Sequence, residues 1–139
     1  MSQVKSARDA LKDHIAGLSA VTGRSITPTV SWIPPERDRE DIDAAILEVA
    51  PAEREVELVS RGTARHLLTL HVALFEPLAA DIETQAEANQ VLLEAIMDGT
   101  IKQAIGTKTC VGVRQIQLQN VKHWREKRLF ASVIEIAIQ

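Results

Sequence analysis

Residues 53–75 read EREVELVSRGTARHLLTLHVALF, and the reading of this stretch decides the fold. From Arg54 to Ser60 charged and apolar residues alternate, with Val56 and Leu58 set to face inward. Arg61-Gly62-Thr63 then supplies a turn or bulge. From His66 to Phe75 the alternation resumes, with Leu68, Leu70, Val72 and Leu74 on one face and Thr69, His71 and Ala73 on the other. That second face is not strongly polar, which implies partial cover. Consecutive strands joined by a short turn favour antiparallel pairing, so the middle of the chain is the centre of a sheet.

Upstream, AAILEVAP (44–51) is ambiguous. Ile42, Ile46 and Val49 fit a helix, whereas Leu47 and Val49 fit a strand. Its shortness and the flanking Pro51 favour a strand over 42–50. The run 36–43, ERDREDID, has the composition of a solvated loop. Ile26 to Trp32 reads as a strand, and Pro28 assigns it to an edge or to a strand start. Trp32, with Ile26 and Val30, is expected to be a half-buried core residue. Residues 3–20 predict an amphipathic helix. Val4, Ala7, Leu11, Ile15 and Leu18 form its stripe, Lys5, Arg8, Asp9, Lys12 and Asp13 its wet side, and Gly23 a stop.

Downstream, residues 80–98 predict a second helix that buries Ile82, Ala86, Leu92, Leu93 and Ile96. Asp81, Glu83, Glu87, Glu94 and Asp98 lie on its exposed side. Gly99 suits its C-terminal stop, and Thr100 a cap for a short helix through Ile105. Residues 110–119 read as a strand whose phase changes between Val111/Val113 and Ile116/Leu118, as a bulge near Arg114 would produce. A basic connection follows, and a last strand has Phe130, Ile134, Ile136 and Ile138 inward. The sum is a single α+β domain over residues 1–139, two-layered, with a mostly antiparallel four- to five-stranded sheet and two main helices packed on one face.

At 139 residues the chain is long enough for one core without staples. One cysteine, Cys110, builds neither a disulfide framework nor a zinc cluster, so a reducing compartment is expected. The first residues have no apolar signal core, and no stretch approaches a membrane span. With aromatics at 3% and no tyrosine, stacking platforms for single-stranded nucleic acid are poorly supplied. The net charge of −3 hides a split: residues 36–65 and 66–100 carry balances of −4 and −6, and residues 101–139 carry +5. Such a split predicts two surfaces of opposite sign.

The chemistry-bearing residues are scattered. His66 and His71 differ by five along one strand, so they point to opposite faces and cannot share a metal. Cys110 sits in the apolar run TCVGV with no activating neighbour in sequence. No phosphate loop, nucleophile elbow or zinc-protease motif is present. No catalytic residue, cofactor or metal ligand is therefore expected. An enzyme would have to combine dispersed carboxylates with His71 or His123. The segment 122–128 is different in kind: Trp124 stands among His123, Arg125, Lys127 and Arg128, residue types that dominate protein interfaces.

VSWIPP, then a charged loop, then LEVAPAEREVELVSRGTARHLLTLHVALFEP, then helix, strand, loop and closing strand, form an order that resembles the tail terminator proteins of long-tailed bacteriophages and prophages. The most suggestive piece is EREVELVSRGTAR, residues 53–65. Phage tail-completion and head–tail joining proteins are similar in size and class. The resemblance implies a virion protein assembled in the bacterial cytoplasm, with no catalytic residue. Such proteins form a ring, usually hexameric, that caps the tail tube, ends its polymerisation and meets the head connector, with DNA passing through the lumen. Its partners would be further copies of itself, the tail-tube protein and the head-completion protein. The expected contacts are Arg61 and Arg65 in the turn, Trp124, Arg125 and Arg128 in the last loop, and Arg37 and Arg39 in the charged loop. The reading of another class is a monomeric or dimeric binding or regulatory module.

Overall fold

A computed structural model describes residues 2–32, 42–117 and 128–139. In chain order the elements are α1 (Gln3–Ala16), α2 (Ser19–Thr22), β1 (Thr29–Val30), β2 (Ile46–Ser60), β3 (Thr63–Pro77), α3 (Ile82–Thr100), β4 (Ala104–Ile105), β5 (Lys108–Gln117) and β6 (Leu129–Ile138). The strands form one six-stranded sheet in the order β1-β2-β3-β6-β5-β4. The expected α+β class holds, but the sheet is mixed, it has more strands than expected, and the single turn α2 adds a third helix to the two expected. The short β1 runs parallel to β2, and every other neighbour is antiparallel.

The core lies between the helices and one face of the sheet. Leu68, Leu70, Val72 and Leu74 are buried there together with Leu47, Val49, Ile134, Ile136 and Ile138, against Leu11 and Ile15 of α1 and Leu92, Leu93 and Ile96 of α3. These are the inward positions read from the alternation of β3 and β6 and from the helical spacing of α1 and α3. The partial cover expected on the opposite face is a second, smaller cluster: Ala73, Phe75, Leu129 and Ala131 with Ile42.

The strand expected over 42–50 begins at Ile46 and is not a separate one. It continues through Pro51 to Ser60 as a single 15-residue strand. The register slips between Pro51 and Glu53, so Ala52 is an extra residue opposite β3. This bulge converts the inward phase of Leu47 and Val49 into that of Arg54, Val56 and Leu58, reconciling two alternations of opposite parity. Pro51 is tolerated because, among the described residues, β1 pairs with β2 only at Glu48 and Val49 and leaves the edge beyond them unpaired.

Other departures have local causes. The helix expected over 3–20 stops at Ala16, capped by Gly17, and Gly23 caps the single turn α2. Leu18, outside either helix, instead packs on Gly99, where an added Cβ would lie 3.0 Å from its Cδ2 atom. Gly99 is therefore a close-approach residue inside α3 and not its stop. The helix runs to Thr100, and Lys102 takes the left-handed conformation beyond it at φ 66°. The short helix expected through Ile105 is strand β4 instead.

The strand expected over 26–32 contracts to Thr29–Val30, and Trp32 is 54% exposed, not half-buried in the core. Arg8, assigned to the wet side, is buried with its guanidinium 4.8 Å from the centre of the Trp32 ring. In β5 the irregularities flank Arg114 at Cys110/Gly112 and Gln115/Gln117. Val111 is consequently exposed while Val113 packs on the core. The charged run before Ile42 and the connection carrying Trp124 lie outside the described residues.

Position along β2 and β3 should decide what a truncation costs. Leu70→Ala, which empties a fully buried site, is expected to lower unfolding stability by about 2–5 kcal/mol. Leu58→Ser, on the same sheet face but exposed, is expected to change it by less than about 0.5 kcal/mol. Urea titration followed by circular dichroism measures both.

Candidate assembly surface

Among the described residues, the sheet narrows to two strands beyond Leu68. Leu68 is the first residue of β3 to pair with β6, whereas β2 and β3 remain paired out to Ser60 and Thr63. The outer part, residues 55–67, is a hairpin arm whose strands pair, among the described residues, only with each other; Val59 and His66 line an open cleft beside Lys108 and Gln139 of the body. Arg61-Gly62 makes its turn, with Gly62 at φ 83°. The helix layer ends where the arm begins: Arg54 Nη2 lies 3.4 Å from Gln3 Oε1 at the start of α1 and 3.1 Å from His66 Nδ1.

Val56 and Leu58 occupy the sheet face that forms the core lower down, as the alternation predicts. They are nevertheless 56% and 74% exposed, because no helix among the described residues reaches them, and Val59 in the bulge beside the turn is 59% exposed. The inward expectation was right about the face and wrong about burial. On the arm's other face Arg65 Nη2 pairs with Glu57 Oε2 at 2.5 Å, across the register Glu57↔Arg65. This hydrogen bond raises the Arg65 pKa further above its ordinary value. From Leu58 to His66 the arm carries Arg61 and Arg65 and no carboxylate, so its tip is cationic and apolar together.

The expected contact residues separate in space. Arg61 and Arg65 lie on the arm, and both are exposed. Arg128 is exposed at the opposite end of the sheet, in the left-handed conformation at φ 52°, with its carbonyl accepting from the Leu78 amide at 3.1 Å. Since β3 spans roughly 50 Å between these ends, the arginines belong to two surfaces. Arg37, Arg39, Trp124 and Arg125 lie outside the described residues.

Sequence reading missed the polar cluster under the first half of α3. Glu76, at the end of β3, accepts from Gln85 Nε2 at 2.6 Å and Asn89 Nδ2 at 3.2 Å through Oε1, and from Arg24 Nη2 at 3.0 Å through Oε2. Arg24 Nη1 also donates to Asn89 Oδ1 at 2.7 Å. Gln85 and Asn89 are buried. Their spacing of four, in line with Leu92, Leu93 and Ile96, is the signal that was available. An open groove of about 510 Å³ adjoins this cluster and is lined also by Asp43, Asp81 and Thr84. Asp81 caps α3. The Thr84 amide and hydroxyl donate to its carboxylate and hold its pKa below the usual value.

The histidines fall on opposite faces as expected. His66 is on the arm, and His71 lies 3.5 Å from Glu135 on the far side of the sheet. Glu135 also accepts from Arg114 Nε at 2.9 Å, and this bond holds the Glu135 carboxyl below the usual range. Cys110 is buried in the core, and burial pushes its thiol pKa up. Among the described residues, no helix is long and apolar enough to cross a membrane.

These features define the class: an α+β fold, one helix-backed sheet from which a two-stranded arm projects. No protein-family model matches the chain, and no curated protein matches it in sequence. In fold it is similar to a chain from a solved structure of the virion of a native gene transfer agent particle. That match has a TM-score of 0.54 and 13% identity, and it covers 99% of this chain and 98% of the other.

Two substitutions check the electrostatics. Glu76→Ala removes the acceptor of Asn89 Nδ2 and one of two acceptors of Gln85 Nε2, which keeps the Pro77 carbonyl, and is expected to cost roughly 1–3 kcal/mol in chemical denaturation. Glu135 has a folded pKa depressed by Arg114. Its contribution is present above its unfolded pKa and is lost as pH falls through the lower, folded one. Acid titration of stability should therefore be shallower in Glu135→Gln than in the unmodified protein.

Proposed function

We propose that the chain is a structural protein of a phage-like virion, and that it serves there as a tail terminator. In this role copies assemble head to tail into a ring, in the manner of a hexamer. The ring caps the tail tube, stops its growth and offers its other side to the head-completion protein, with DNA passing through the lumen.

The observation that carries the reading is the projecting arm. An isolated two-stranded hairpin is marginal in water, and one that exposes Val56, Leu58 and Val59 gains stability by burying them on a partner. Arg61 at the arm and Arg128 at the far end set the expected contacts on two different surfaces of the chain. A closed ring uses unlike patches in this way, because each interface joins one surface of a copy to a different surface of the next. The fold likeness to a virion chain, end to end in both chains, supports the same setting. The terminator role rests on the resemblance of element order and of residues 53–65.

Light scattering on the purified protein tests this. The expected mass is about six times that of the 15.3 kDa protomer, with binding to the tail-tube protein of the same particle. Leu58→Asp is expected to shift the mass toward the protomer while leaving the circular dichroism spectrum unchanged. A strict monomer at high concentration that also fails to bind the tail-tube protein would overturn the proposal.

A further inference from the structure

Resting on the ring reading, we infer that the arm of one copy docks on the outer face of α3 of the next, with Arg61 and Arg65 set against its carboxylates around Val91. Both surfaces are visible on the single chain. The arm offers Val56, Leu58 and Val59, all more than half exposed, and a tip with two arginines and no acid. Arg65 shares its charge with Glu57, whereas Arg61 takes part in no ion pair among the described residues.

The receiving face follows from helical spacing. Glu87, Val91, Glu94 and Asp98 succeed one another at intervals of four, three and four, which places them in one line along α3. All four are exposed, Val91 at 56%. None of the three acids takes part in an ion pair among the described residues, and α3 carries no lysine or arginine to neutralise them. An exposed valine inside an acidic line complements a cationic tip that carries exposed valines and a leucine.

The dimensions agree. From Arg54 to Arg61 the arm extends about 23 Å. From Glu87 to Asp98 the line extends about 17 Å. The two surfaces do not meet within one chain. The line lies on the side of α3 turned away from the sheet, and the arm continues the sheet itself. A second copy is therefore the occupant that satisfies both. The contact is heterologous, with the arm of each copy used forward and its helix backward, as ring closure requires.

A charge swap tests the contact by the mass of the assembly in low-salt buffer. Arg61→Glu, and separately Glu87→Lys with Glu94→Lys, are each expected to weaken assembly tenfold or more, because like charges then face each other. Thermal unfolding should show both variants folded, and Arg61→Lys should assemble like the unmodified protein. Mixing the two reversed variants should restore rings in which they alternate, since each arm then meets a helix of opposite sign. If the unmodified protein assembles and the reversals have no effect, or if mixing fails to restore assembly, this contact is wrong and the ring reading stands. If the unmodified protein never assembles and binds no tail-tube protein, both fall.

Discussion

The structure depends on a mismatch of lengths. β2 and β3 have 15 residues each, so the pair spans roughly 50 Å. The longest helix, α3, has 19 residues and spans about 28 Å, and α1 with 14 spans about 21 Å. Helices of these lengths cover only the lower part of the pair, where β6 and β5 also widen the sheet. Among the described residues, no second layer covers the part of the pair above Leu68. The core, the exposed arm and the division of the sheet into body and projection follow from that difference.

Within the body, polar contacts fix where the short layer sits. Glu76 binds Gln85 and Asn89 of α3 and Arg24 after α2. It thereby fastens the start of α3 to the end of β3, the end away from the arm. At the other end of α3, His14 Nε2 donates to the Gly99 carbonyl at 3.0 Å, and Leu18 packs on Gly99 itself. Such pairings add modest net stability, because water is displaced from both partners. Their effect is positional: the helices cannot slide toward the arm without stranding buried donors, so the arm stays uncovered in the single chain.

Much of the body was legible in the sequence, because alternation and helical spacing record which side chains avoid water. Leu68 to Leu74 in β3 and Leu92 to Ile96 in α3 gave both element and face. What failed was the inference from face to burial. Val56 and Leu58 have the pattern of core residues, and the pattern reports which side a partner occupies, not whether that partner belongs to the same chain. Gly99 misled for a related reason: glycine ends helices and also permits close packing, and only the position of Leu18 distinguishes the two. At the candidate surface, the positions of Arg61 and Arg65 on the arm were legible because Gly62 marks the turn. The cluster around Glu76 was missed because its members come from distant parts of the chain.

The bulge at Ala52 connects the body to its projection. Leu47 and Val49 must face the helices to complete the core, and Val56 and Leu58 lie nine residues further along, at odd separations that would put them on the opposite face of a regular strand. One extra residue restores them to the core side. The apolar part of the arm thus continues the core surface beyond the helices, and a neighbour that covers it takes the place a longer helix layer would have filled. Assembly in this view completes the fold. The same hydrophobic face that organises the monomer remains exposed at one end, and in the proposed ring a second copy would supply the missing layer.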